Sequence, residues 1–484
     1  MAEPSYGGEL VVGTIFDAFG MEPATFVGGV TDAHIAHAIY DPLVILSPEG
    51  EVEPYLAESI ESEDQQTWTL TLRSGVRFHD GTPFDAPAVK VNLERHRDPA
   101  QRSRSIANAR HIESVEVVDP ATVRIVLAFP WPAFPEVLAN GPLGLMASPA
   151  AIAAGTANDQ PVGTGPFQLT ERVPGDHTTV VRNDAYWQEG KPYLDRIVFR
   201  VIVDDAVRQA SVEKGEIQAA QSIRGDTLAE AADAPEVKST QSPGHANTIH
   251  INTSAAPMDD VRVRRALALA LDTDALDDVI FDGAAPTEGH FLVASSPFFA
   301  TDVDFPRSDP DAARALLEEV AAERGGPVAF TFSCYTEPSR LKLSELAEQM
   351  WEQVGFEVEL DISDQMSLVL DLFEKNYTAA CFSMGVETSD PDIVYYGTFH
   401  SESASNYVAY SNPEMDEALD RGRTSTDPSE RAEAYATVQR LLAEDVPVFE
   451  YAASPWGWVM GDDVHGLVAL PGGEFDPAGV FLAE

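Results

Sequence analysis

The chain has 484 residues, with 31 Lys and Arg against 79 Asp and Glu, a formal net charge of −48. Such a field excludes nucleic acid and anionic membrane surfaces as partners and favours solubility. The length calls for two or three lobes rather than one core, and no uncharged apolar run of about 18 residues encodes a membrane-spanning helix. Only 6 of the basic residues are lysine and the acids are scattered through every region. The charge therefore reads as salt adaptation or lineage bias, with attraction of cationic ligands as the functional alternative.

In chain order, the first predicted element is a strand over 7–13, G-G-E-L-V-V-G. Met1 leads almost directly into it with no apolar leader, so the protein is either cytoplasmic or lacks a trimmed targeting segment. His34 and His37 follow on a predicted helix, three apart, with Asp32 and Asp41 nearby. That spacing allows a shared metal ion, but it equally describes a helix surface or one packed histidine, and no metal is assigned. Trp68, Leu70 and Leu72 alternate with threonines, and Val123, Ile125, Leu127 and Phe129 alternate in the same way, two half-buried strands. Gly163-Thr164-Gly165 is a turn rather than a phosphate loop, because Pro166 removes a backbone donor where a phosphate cradle would need one. A strand is expected over 196–203.

Farther on, the apolar stretch 248–252, followed by Ala256-Pro257, reads as a crossing between lobes, with the return near 446–455. A helix over 309–324 opens at Asp309-Pro310 and stops at Gly325-Gly326. Another over 428–444 opens with Asp427 and carries Glu430 three residues later, the capping-box pattern. The two cysteines, Cys334 and Cys381, each lie in an apolar strand-like segment. They read as small buried hydrophobes or, in an oxidising compartment, as a mutual disulfide. Acidic clusters such as Asp272-Thr273-Asp274 and Asp277-Asp278 lack the glycine and spacing of a calcium loop. No G-x-S-x-G elbow, H-E-x-x-H pair, Walker loop or dinucleotide fingerprint is present, so no catalysis and no cofactor are expected. The irregular alternation of strands and helices indicates an α/β protein.

Several segments acquire meaning from their order. G-G-E-L-V-V-G at 7–13, Y-D-P-L at 40–43 and P-Y-L-A-E-S at 54–59 precede T-W-T-L-T-L-R-S-G-V-R-F-H-D-G-T-P-F at 67–84. V-G-T-G-P-F at 162–167, R-N-D-A-Y-W at 182–187 and G-K-P-Y-L-D at 190–195 follow, then I-N-T at 251–253, V-R-V-R-R-A-L-A-L-A-L at 261–271 and D-P-D at 390–392. Together they resemble the family 5 extracellular solute-binding proteins, the peptide, dipeptide and nickel-chelate receptors of ABC importers. The resemblance implies a two-lobed type II periplasmic-binding-protein fold with an extra subdomain in the first lobe. The lobes would comprise 1–38, 161–250 and 451–484 (first lobe core), 39–160 (extra subdomain) and 251–450 (second lobe). It also implies a trimmed leader, an extracytoplasmic and lipid-anchored monomer, ABC permease subunits as partners, and a peptide or other amine-bearing solute as ligand.

In the peptide-binding branch an acid three positions before the D-P dipeptide grips the ligand ammonium, which carries over to Glu387, three before Asp390-Pro391; glutamate departs from the usual aspartate. Met384 stands where a tryptophan is common, and Cys334-Tyr335 where dipeptide receptors carry a carboxylate-binding arginine. Arg340 lies beyond, inside the following helix, so simple dipeptides are in doubt. Further wall candidates are Thr14, Phe16, Phe19 and Met21 after the first strand, and Tyr335, Tyr395, Tyr396, Phe399 and Trp456. Trp68 and Trp187 read as structural. A metal-chelate or oligosaccharide receptor is the alternative within binding proteins. A ligand sensor built on the same clamp is the alternative outside them, although no DNA-binding helix-turn-helix precedes the first strand.

Overall fold

The computed structural model describes residues 3–18, 20–26, 30–101, 103, 105–234, 237–287, 289–385 and 390–483. The chain forms two compact units. The first comprises Met1–Ile223, Thr227–Ser242 and Trp456–Glu484; the second comprises Arg224–Asp226 and Pro243–Pro455. The chain leaves the first unit within the long strand Val237–Ile251 and returns to it within Val448–Gly461.

In the first unit the strand Glu9–Thr14 lies between two parallel neighbours, Arg196–Val201 and Ala219–Ser222. His177–Arg182 and Phe167–Val173 extend the sheet antiparallel on one side, and the end of Val448–Gly461 pairs antiparallel with Ala219–Ser222 on the other. Leu10 and Val12 reach a core with Phe167, Ile197, Phe199 and Trp458. A separate antiparallel sheet joins Ala57–Glu61, Thr67–Leu72, Thr122–Leu127 and Ile112–Asp119. Its strands alternate as their sequences require: Trp68, Leu70 and Leu72 are buried, as are Val123, Ile125 and Leu127. Phe129 falls outside the strand, just before Pro130, and packs its ring against His111 and Trp131.

In the second unit Val328–Tyr335 lies parallel between Phe356–Ser363 and Ala379–Gly385, and the strand Val237–Ile251 pairs antiparallel with the latter. Trp351, on the helix Pro338–Val354, anchors this core. It is fully buried, stacks edge-on against Phe330 and Phe332, and donates its indole N–H to Leu267 O at 3.0 Å. Parallel strands covered by helices give the α/β architecture that the sequence pattern implies.

Helix boundaries follow local chemistry closely. Asp309 accepts from Ala312 N at 3.0 Å to start Pro310–Arg324, and Gly325 ends it with φ +77°. Asp427 caps Pro428–Asp445 through Ser429 N. The capping box does not close, however: the Glu430 carboxylate accepts from the Ser425 hydroxyl at 2.7 Å, and that hydroxyl accepts from Asp427 N. Ser425, two residues before the cap, intercepts the glutamate. The strand expected over 196–203 ends at Val201, because Asp204 already caps the helix Asp205–Glu213.

Cys334 and Cys381 form a disulfide, with Cα atoms 5.2 Å apart. The pairing of Phe332 with Ala379 and Ser333 with Ala380, carried one residue further, puts the two cysteines opposite each other on adjacent parallel strands. The sequence left free and bonded cysteines open; register, a tertiary property, closes the question. Such a bond belongs to an oxidising compartment.

Candidate functional site

The family-like motifs converge on one buried carboxylate in the first unit. Asp41 accepts from the Thr164 hydroxyl at 2.9 Å, the Tyr186 hydroxyl at 3.1 Å and the Trp187 indole N–H at 2.8 Å. Y-D-P-L, G-T-G-P-F and A-Y-W thus meet at one atom group. Burial pushes the Asp41 carboxyl up to about 7, although each of these hydrogen bonds favours its ionised form. R-F-H-D-G joins beside it: His79 N donates to Gly163 O and the His79 ring to Gly165 O, at 2.8 and 2.9 Å. A Cβ at Gly163 would lie 2.0 Å from Ile39 O, so only glycine lets this turn close on the end of the helix Val30–Ile39. The hub is saturated and buried. Its chemistry is that of a clasp.

The first unit's predicted wall residues have mixed placements. Thr14 is buried, its hydroxyl within reach of Phe16 O and Arg200 O. Met21 is part of the core, its carbonyl accepting from Tyr40 OH. Phe16 is 49% exposed. Trp456 is half-buried with its indole across Gly473, whose Cβ would fall 2.0 Å from the ring. Phe19 lies outside the described residues. His34 is sealed among Trp458 and Phe475, and burial lowers its pKa to about 3, whereas His37 faces Glu474 at 3.9 Å. The two histidines do not form a shared metal site. Among the described residues no group of three or more His, Cys, Asp or Glu is arranged to hold a metal ion.

In the second unit, Glu387 lies outside the described residues. Asp390 is gripped through both oxygens by Arg431, at 2.8 and 2.6 Å, and Asp392 by Arg423. Met384, Tyr395 and Phe399 belong to one buried cluster. Tyr396 is half-buried, stacked on His400 and on the Arg423 guanidinium 3.4 Å from its ring centre. The D-P-D segment is therefore held in place by two buried arginines. Tyr335 takes part in something the sequence did not reveal: a buried cation surrounded by neutral groups. Arg340 Nε donates to Tyr335 OH at 3.2 Å, Nη1 to Tyr451 OH, and Nη2 to Asn247 Oδ1 at 2.7 Å and Ser383 Oγ at 3.0 Å. Arg340 sits in the first turn of the helix Pro338–Val354, as its position in the sequence implies. Its partners come from three further strands, 93, 43 and 111 residues away, and no local pattern foretells them.

The model of bacterial extracellular solute-binding proteins, family 5, matches residues 51–406. The chain belongs to this family. Its work is to bind a solute, as the substrate-binding receptor of an ABC importer. This family 5 receptor is 31% identical over 427 residues to the glutathione-binding protein GsiB of Escherichia coli O1:K1, covering 85% of the chain and 83% of that relative. Among solved structures it superposes with a TM-score of 0.87 on the binding protein AgaA of A. tumefaciens R10 in complex with agropinic acid, at 23% identity and 99% coverage of both chains. The Helicobacter pylori protein DppA in complex with the peptide STSA gives the same score at 22% identity and the same coverage. These neighbours establish the two-lobed periplasmic-binding-protein fold for the receptor.

Proposed function

We propose that this receptor works outside the cytoplasm, anchored by lipid at the membrane face, and captures a peptide or other small amine-bearing solute for ABC permease subunits. It acts as a monomer, uses no cofactor and turns over nothing. Of its two lobes, the first carries an extra subdomain over 39–160. Glu387 supplies the carboxylate for the solute's ammonium, and the exposed Phe16 and half-buried Trp456 and Tyr396 offer wall surface.

The likeness to glutathione-binding proteins over 85% of the chain carries this reading, since glutathione is itself an amine-bearing peptide. The disulfide in the second unit supports an oxidising location. Calorimetric titration with glutathione, tri- and tetrapeptides, oligosaccharides and nickel–histidine tests it. Saturable binding of glutathione or a peptide, lost on N-acetylation and on Glu387→Ala, is the expected result. Saturation by a sugar or chelate alone would replace the peptide reading with the alternative one.

A further inference from the structure

We propose that the helix Gln365–Glu374 of the second unit docks an extracytoplasmic loop of an ABC permease subunit, one that sets apolar side chains between lysines or arginines. The assignment rests on the receptor reading and deepens it. Leu368 and Leu372 reach the core of the unit, and Val369 is half-buried beside them. Met366, Leu370 and Phe373, four and three residues apart, are each more than half exposed. At about 100° per residue these six positions cover roughly 200° of the helix, about twice the stripe that packing on a core requires. Gln365, at the first position, is the only polar residue inside that arc. The helix Pro310–Arg324 of the same unit shows the ordinary case: Ala313, Leu317 and Val320 are buried, and Arg314, Glu318 and Glu319 are exposed. The outer face of Gln365–Glu374 is apolar beyond what the fold uses.

Neighbouring residues give this face a sign. Ile362, at the end of the strand leading into the helix, is exposed as well, and Tyr407 meets the Phe373 ring edge-on at 4.8 Å. Between 356 and 376 stand Glu357, Glu359, Asp361, Asp364, Asp371 and Glu374, against Lys375 alone. All of these acids but Asp371 are exposed, and none is in an ion pair among the described residues. An apolar face bounded by unpaired acids fits a partner that brings apolar side chains and positive charge together. A second copy of this chain is the wrong occupant, because it carries the same acids to the contact and a net charge of −48. An anionic lipid surface is repelled in the same way. The permease is the protein that a receptor of this kind meets. A contact with an apolar centre and a charged rim suits an encounter that forms and breaks in every transport cycle.

Photo-crosslinking tests the surface. The two native cysteines are bonded to each other, so Leu370→Cys offers a single thiol for benzophenone maleimide. The labelled protein is irradiated with right-side-out membrane vesicles from the cells that make it, and the crosslinked polypeptide is identified by mass spectrometry. The expected product joins residue 370 to an ABC permease subunit, at a segment containing Lys or Arg. Excess unlabelled wild type should suppress it, whereas Leu370→Asp should compete at least about tenfold less well. At low salt Glu374→Lys should also compete poorly, a deficit that high salt removes. No crosslink, a crosslink to a second receptor copy, or equal competition by Leu370→Asp would overturn the surface; equal competition by Glu374→Lys at low salt would overturn the basic character of the loop. A second arm follows uptake of labelled glutathione by cells carrying wild type, Leu370→Asp or the milder Met366→Gln. Both variants should melt and bind glutathione as the wild type does, because Leu368 and Leu372 stay in place, yet uptake should fall at least about tenfold with Leu370→Asp. Undiminished uptake by both variants would sink the proposal. A permease crosslink from a wild type that neither binds nor delivers glutathione or peptides would uphold the surface and defeat the peptide reading instead.

Discussion

Asp41 in the first unit and Arg340 in the second are mirror cases: each is a buried ionisable group whose direct partners are neutral. Asp41 sits in a ring of donors from Thr164, Tyr186 and Trp187 that matches its lone pairs, and Tyr186 is further joined to the Tyr55 hydroxyl at 3.0 Å. Arg340 sits among groups that accept from it and still have protons to give. The first arrangement is complete and locks the fold. The second is a cation held by neutral acceptors from four strands. Burial and charge alone do not distinguish the two; the balance of donors and acceptors does.

The comparison can be tested through the second unit's staple. Cys381 and Ser383 alternate onto the same sheet face, beside Ile249 and Asn247 of the neighbouring strand, so the disulfide braces the strand that carries part of the Arg340 cluster. Its sequence separation of 47 residues corresponds to about 4 kcal/mol in the chain-entropy model. Reduction, or Cys334→Ala with Cys381→Ala, should lower stability by that order in denaturant titration. Unchanged stability in the reduced protein would show that the strand carrying Ser383 is held without the bond.

Asp41→Ala should cost roughly 3 kcal/mol, because it leaves buried donors without an acceptor, and it should leave solute affinity untouched. A variant that kept full stability but lost binding would make the hub a site and dissolve the contrast. A smaller effect comes from pH. The folded pKa of Asp41, about 7, lies above the unfolded value of 3.8. Its contribution to stability is therefore full below about pH 4 and lost as pH rises through 7. Asp41→Asn removes that titration, so its destabilisation relative to the wild type should shrink from pH 4 to pH 8. Glu450, buried against the Thr287 hydroxyl and also raised to about 7, contributes a slope of the same sign. His34 and His250, lowered by burial to about 3, contribute the opposite one: stability present above about 6.5 and lost as pH falls toward 3. Denaturation curves of the wild type and Asp41→Asn over this range isolate the Asp41 share.

Much of this was legible in the chain. Alternation at Trp68, Leu70 and Leu72, the start signal at Asp309 and the stop signal at Gly325 depend on neighbours a few residues away, and they emerged as read. Three of the ordered motifs, those holding Asp41, Thr164 and Tyr186-Trp187, meet at the Asp41 hub of this chain. The same reasoning overreached at Glu430, where a nearby serine competed for the carboxylate.

By itself, then, the sequence determined the fold class, the family and the bounds of the two helices at 309–324 and 428–444, because periodicity, capping and turn chemistry act over a few residues and are written in order. Only the tertiary structure decided that Cys334 meets Cys381 and that Arg340 lies among Asn247, Ser383 and Tyr451. Strand register and the approach of distant side chains are set by packing across the whole unit, so these partners, tens of residues apart along the chain, are chosen by the fold.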